Sequence, residues 1–285
     1  MDEKQSIVIR NLTKSFGTNL VLDQISLTIE KDGIYGLLGR NGAGKTTLLN
    51  LISNRLFPTD GEIYIDGMVA AENDEAQGRV YMMSEQELYP EIYTVKRIFQ
   101  ATSYFYSFDM EYAKELCERF ELNPKKKLNE LSTGYRSIYK VIIALCVGAD
   151  YIFLDEPVLG LDANHRDLFY RCLLEAYAKR PRTFVISTHL IEEVSNVVEH
   201  VFIIKKGKLI RNESCESLLT SGYTVAGPIK LVDEFIKGKE VLGETVLGGL
   251  KTVSILGTLN KKEEQVGLEI GKMDLQKLFI ELTNH

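Results

Sequence analysis

Gly39-Arg40-Asn41-Gly42-Ala43-Gly44-Lys45-Thr46 places three glycines, a lysine and a hydroxyl in the spacing G-x-x-x-x-G-K-[ST]. Glycines let a backbone curve closely round an oxyanion, so N–H groups from Asn41, Gly42, Ala43 and Gly44 through to Thr47 can point at phosphate oxygens. The lysine at this place neutralises the β and γ phosphates of a nucleoside triphosphate, and the Thr46 hydroxyl is a ligand for magnesium. The apolar run Ile34 to Leu38 comes directly before, and a helix starting near Lys45 turns its positive end to the same point. A glycine-rich turn ahead of a helix is the plainer reading of the same string.

A second group is Tyr151-Ile152-Phe153-Leu154-Asp155-Glu156-Pro157, an apolar run ending in two acids. It reads as a buried parallel strand that delivers carboxylates at its C-terminal edge. Asp155 is placed to hold magnesium through water, and Glu156 to orient and deprotonate an attacking water. Pro157 disfavours the helical region for the residue before it, which predicts extended backbone at Glu156. A solvated strand end has the same sequence appearance.

With Leu131-Ser132-Thr133-Gly134-Tyr135 upstream and Leu161-Asp162 and Ser187-Thr188-His189 downstream, the order and spacing of these motifs resembles the ATP-binding subunit of an ABC transporter, over residues 1 to about 215. The resemblance implies ATP and Mg2+ as cofactors. Ser132 and the Gly134 N–H would contact the γ phosphate of a nucleotide held by a second subunit, although a plain helix cap uses Ser132 or Thr133 equally well. Thr133 and Tyr135 depart from the family's Leu-Ser-Gly-Gly-Gln. His189 falls at the family's switch histidine, which contacts the γ phosphate. Asp162 falls at the loop that meets the opposite subunit, and it is also suited to cap the helix from Asn164. Phe16, 23 residues before Gly39, stands where the family stacks an aromatic on adenine, while a ring after an amphipathic strand also suits a core. The family's loop glutamine, which helps place metal and water, is replaced by Ser84, with Gln86 two residues later.

Beyond residue 215 the pattern from Tyr223 to Pro228, Gly248-Gly249-Leu250-Lys251 and Leu275 to Ile280 resembles the tail of bacterial ATPases that serve drug, lantibiotic or toxic-peptide exporters. The implied protein is an ATPase that closes head-to-tail with a second nucleotide-binding subunit, identical or homologous, and drives export through separate permease membrane subunits. Its implied place is the cytoplasmic face of the membrane. A soluble ABC-type ATPase and a regulatory partner in an asymmetric pair are the competing functions. The first usually carries fused halves or a coiled-coil insertion, and the presence of both Glu156 and His189 argues against the second. No N-K-x-D guanine motif is present.

The elements that position these residues alternate short branched apolar runs with helical patterns, the mark of an α/β protein. Strands are expected at 7–9, 25–29, 34–38, 63–65, 151–154, 183–186 and 201–204, and helical periodicity at 94–122, from Leu131 to about Val147, 164–179 and 190–197. Lys205-Lys206-Gly207-Lys208 reads as a hairpin turn. Together with the resemblance this gives a P-loop NTPase sheet with an antiparallel N-terminal β subdomain, a helical subdomain at about 94–148, and a small C-terminal α/β module over 216–285 after a main domain of 1–215.

A net charge of −6 over 285 residues, with 45% hydrophobic residues, excludes disorder and argues against a general nucleic-acid binder. The longest stretch free of charge and histidine, Ser217 to Ile229, has 13 residues, too few to span a bilayer. The acidic start at Asp2 and Glu3 is unlike a signal peptide. Cys117, Cys146, Cys172 and Cys215 are far apart and read as buried reduced thiols.

Overall fold

The computed structural model describes residues 5–258 and 267–284, and the acidic start at Asp2 and Glu3 lies outside them. In chain order the strands are β1 (Ser6–Phe16), β2 (Asn19–Glu30), β3 (Ile34–Leu38), β4 (Asp60–Ile65), β5 (Met68–Val69), β6 (Val80–Met83), β7 (Tyr151–Asp155), β8 (Thr183–Thr188), β9 (His200–Lys205), β10 (Lys208–Ser214), β11 (Gly222–Pro228), β12 (Glu240–Leu247), β13 (Leu250–Leu256) and β14 (Glu269–Lys272). The helices are α1 (Lys45–Ile52), α2 (Asp74–Gln77), α3 (Val95–Thr102), α4 (Met110–Arg119), α5 (Thr133–Cys146), α6 (Ala163–Lys179), α7 (Ile191–Val194), α8 (Cys215–Thr220), α9 (Ile229–Phe235) and α10 (Leu275–Asn284).

The central sheet has six strands in the order β10-β9-β3-β8-β7-β6, parallel except for β10. Side chains alternate between its two faces. Ile152 and Leu154 of β7 enter one apolar cluster with helices α3 to α6, and Tyr151 and Phe153 enter another with α1 and the antiparallel sheet β2-β1-β4-β5. Both faces are covered, which is why the central strands read as unbroken apolar runs. The third sheet, β12-β13-β11-β14, is antiparallel and has its own small cluster around Val225, Val232 and Val253. Helix α10 nevertheless buries Leu275, Leu278 and Phe279 in the larger cluster and packs on α7.

Three local expectations are revised. The helical stretch 94–122 is two helices, broken over residues 103–109, where Asp109 caps α4 by accepting from Tyr112 N. The helix expected at 190–197 is the single turn α7. Glu156 is not extended: its φ of 48° lies in the left-handed region. Pro157 disfavours only the right-handed helical basin, and the chain must turn sharply at the strand end. The Glu156 N–H donates to Ser187 O at 2.8 Å and Leu159 N–H donates to Glu156 O at 3.1 Å, contacts that offset a left-handed cost of about 1–2 kcal/mol. The β9–β10 hairpin is as expected, with positive φ at both Lys206 (48°) and Gly207 (77°), the geometry of a type I′ turn. All four cysteines are free and buried.

Candidate functional site

Three adjacent parallel strands, β3, β8 and β7, deliver the candidate groups to one sheet edge. Leu38 pairs with Thr188, and Asp155 with Ser187, so the glycine-rich loop, the Ser187–His189 segment and the acidic pair leave the sheet side by side at its C-terminal edge. The loop has little room to vary. A Cβ on Gly39 would stand 2.7 Å from Ile204 O, and one on Gly44, whose φ is 109°, would stand 2.5 Å from Leu22 Cδ2. Strand β2 and the β9–β10 hairpin thus press on the loop from outside, and Gly207 N–H donates to Ala43 O at 3.1 Å. Asn41 and Gly42 remain exposed, Thr46 is exposed at the start of α1, and Thr47 is half-buried behind it.

Lys45 folds back across this loop. Its Nζ donates to Gly39 O at 2.7 Å and lies 3.9 Å from Glu156 Oε1, with the side chain buried. Burial lowers its pKa, and the Glu156 and Asp155 charges oppose the shift. Asp155 is buried as well. Burial raises its pKa, the Thr46 and Ser187 hydroxyls pull the other way, and Glu156 adds to the rise. Asp155 Oδ1, buried, has no hydrogen-bond partner among the described residues. An orphaned carboxylate oxygen beside an exposed threonine hydroxyl fits a hard cation that completes its shell with phosphate and water oxygens. Among the described residues no cluster of three His, Cys, Asp or Glu side chains forms an all-protein metal cage.

Glu156 is the most heavily tied side chain at the edge. Its Oε2 lies 2.9 Å from His189 Nδ1 and accepts from Thr188 Oγ1 at 3.3 Å. Ser84 lines one cavity together with Asp155, Glu156, Thr133 and Leu159 and a second with Tyr81, Leu88 and Tyr89, whereas Gln86 lines the second and not the first.

Other expected residues stand apart from this centre. Ser132 is exposed at the N-cap of α5, where its Oγ accepts from Tyr135 N at 3.4 Å. Gly134 abuts the next loop, since a Cβ there would lie 2.8 Å from Gly160 O. Asp162 caps α6 by accepting from His165 N at 2.9 Å, and its bonds to His165 hold its carboxyl below the ordinary range. Phe16, 49% exposed at the end of β1, carries the Lys14 ammonium 4.9 Å from its ring centroid. The ring is therefore not packed in the core, and the Lys14 ammonium covers one of its faces.

Two contributors were not singled out in the sequence. Thr188 grips Glu156, and Lys140 of α5 enters the cavity of Ser84 and Asp155. Thr188 gives no signal beyond its place in the Ser187–His189 motif. Lys140 does: it is the one charged residue in the run Ile138 to Val147.

The ABC transporter family pattern matches residues 22–159. The chain is 34% identical over 204 residues to the ABC transporter ATP-binding protein YtrB of Bacillus subtilis, covering 71% of this chain and 70% of that one. It is 32% identical to the Nod factor export ATP-binding protein I of Burkholderia lata over 84% of each chain. Relatives below 30% identity include proteins named for petrobactin, ribose and nucleoside import. In fold it is similar to a solved ATP-binding subunit of an ABC transporter, with a TM-score of 0.67, 20% identity, and 74% of this chain and 91% of that chain covered.

Proposed function

The chain belongs to the ABC transporter family as an ATP-hydrolysing subunit, and on that premise we propose that it powers export of a drug or an antimicrobial or toxic peptide through separate permease subunits. The carrying observation is the grip on Glu156. A carboxylate held at once by His189 and Thr188, 3.9 Å from the Lys45 ammonium and next to Asp155, is suited to orient and deprotonate a water attacking the γ phosphate. The glycine loop and Lys45 bind the triphosphate, and the half-exposed Phe16 ring, beside the Lys14 ammonium, would stack on adenine. Asp155 and Thr46, with Ser84 at the rim, would hold Mg2+, which when bound screens the phosphate charge. Ser132 and Asp162 sit on exposed caps, and the half-buried Gly134 lies in the first turn behind Ser132, positions suited to meet the nucleotide and loop of a second subunit, identical or homologous.

The direction of transport rests on the C-terminal resemblance to exporter ATPases and on the export name of the Burkholderia relative. We assign residues 1–215 to the nucleotide-binding unit, with helical residues about 94–148 inserted, and 216–285 to an accessory module. Among the described residues no helix is long and apolar enough to cross a membrane. Attachment to the cytoplasmic face would therefore run through contacts with the permease.

The test is Glu156→Gln. The variant should bind ATP as before, turn over ~100-fold or more slowly, the scale of a lost general base, and accumulate as an ATP-bound dimer in light scattering. A variant that stays monomeric and hydrolyses near the normal rate removes Glu156 from the role of base.

A further inference from the structure

Lys140 spends all three of its donors on one loop. Its Nζ donates to Ser84 O at 3.2 Å, Glu85 O at 2.6 Å and Gln86 O at 3.2 Å, three successive carbonyls of a segment with no regular secondary structure. The preceding residue adds a second tie. The Tyr139 hydroxyl donates to Glu87 Oε1, and the same oxygen accepts from Leu88 N at 3.0 Å and Tyr89 N at 3.3 Å. One turn of α5 thus fixes the whole segment 84–89.

A lysine in the apolar run of α5 is costly, because burial disfavours its charge, and Glu87 and Glu85 only oppose that effect. A merely solubilising lysine would point to water. This one lines the cavity that also holds Ser84, Asp155 and Glu156. Ser84 O is the first carbonyl it holds, so the ammonium fixes the backbone that presents the Ser84 hydroxyl. Lys140 also lies eight residues from the Ser132 cap, about 12 Å along the helix axis at 1.5 Å per residue. A helix moves as a rod, so a displacement at its Ser132 end reaches the loop through this contact.

We infer that Lys140 is a positioning residue: it locks loop 84–87 to α5, keeps Ser84 in register with Asp155 and Glu156, and makes the loop follow the helix when its exposed N-terminus is engaged. This deepens the function proposed above and rests on it for what engages that N-terminus.

The test compares the full-length chain with Lys140→Met and Lys140→Arg. The first keeps a long apolar stem without donors, and the second restores a cation with five donors. Without nucleotide or metal, amide hydrogen exchange over residues 85–89 should speed up about tenfold in Lys140→Met and return close to the unmodified rate in Lys140→Arg. The Mg2+ concentration for half-maximal hydrolysis should rise several-fold in Lys140→Met, while ATP affinity in chelator changes less than about twofold. Should Lys140→Met not fold, Lys140→Gln, which retains two donors, is read in the same assays and should be impaired in both. Unchanged exchange and unchanged metal dependence in the neutral variant overturn the inference, as does an arginine variant no better than the methionine one. Failure of the unmodified chain to hydrolyse ATP would remove the function proposed above but leave the exchange result to decide the lock.

Discussion

His189 Nδ1 and Glu156 Oε2 lie 2.9 Å apart across the ends of two neighbouring strands. An ionised carboxylate can only accept, so the form of the exposed His189 ring that bonds to it is the one carrying a proton on Nδ1. On the function proposed above, the histidine would serve Glu156 as an orienting partner as well as meet the γ phosphate. His189→Ala leaves the Glu156 carboxylate with the Thr188 hydroxyl bond and the Lys45 ammonium 3.9 Å away. We expect turnover to fall by about 10- to 100-fold while ATP affinity changes less than about threefold. Steady-state hydrolysis with binding calorimetry checks the split, and an unchanged rate would take His189 out of the reaction.

Lys45 is held by a main-chain carbonyl at 2.7 Å and by the field of two carboxylates, yet it is buried and its charge is penalised. Removing it should not harm the fold. Without its charge the glycine loop faces a triphosphate with backbone dipoles only, so Lys45→Ala should weaken Mg-ATP binding by roughly 100-fold, the range of lost charge-assisted contacts. Its melting temperature should stay within a few degrees of the parent. Calorimetry that returns the parent affinity contradicts the phosphate-loop assignment.

How much of this was legible depended on whether a feature is local. The glycine loop announces itself because Gly39 and Gly44 leave no room for a side chain, a constraint written in consecutive residues. The strands β3 and β7 were visible because both of their faces are buried. The left-handed backbone at Glu156 was not, since Pro157 rules out one basin and only the distant Ser187 carbonyl selects between the remaining ones. The break between α3 and α4 was likewise hidden. Its Asp109 cap lies inside a pattern whose apolar spacing continues through it. The tie of Lys140 to loop 84–86 spans more than fifty residues and has no local trace beyond a charge in an apolar run.

Ser84 and Gln86 compete for the place of the loop glutamine. Ser84 shares a cavity with Asp155 and Glu156, and Gln86 is exposed and lines a pocket beside Leu88 and Tyr89. Ser84→Ala should therefore reduce magnesium-dependent hydrolysis several-fold, and Gln86→Ala by less than about twofold, since surface changes away from a site are usually small. The comparison is made across a Mg2+ titration at saturating ATP. The reverse ranking would transfer the metal-side role to Gln86.

Contact with a permease needs exposed anchors, and the aromatics of the helical region divide sharply. Tyr89 is half-buried, with its hydroxyl 3.2 Å from Thr102 Oγ1, and Tyr93 lies beneath Arg97, whose guanidinium carbon is 3.9 Å from the ring centroid. A charge at either would disturb packing and contact together. Tyr104 and Phe105, on the connection between α3 and α4, are 86% and 83% exposed and can be changed without opening the core. Large apolar rings fully offered to water suit a partner surface, where aromatic anchors carry most of the binding. The paired substitution Tyr104→Glu and Phe105→Glu should leave basal hydrolysis within about twofold, as for other surface changes, and strongly reduce co-purification with membrane proteins. Membrane fractionation after mild crosslinking reads this directly. Retained membrane association in the double variant would move the docking surface elsewhere. An unmodified chain that stays wholly soluble in its own cell, with no crosslinked membrane partner, would instead favour a soluble ATPase over a transport subunit.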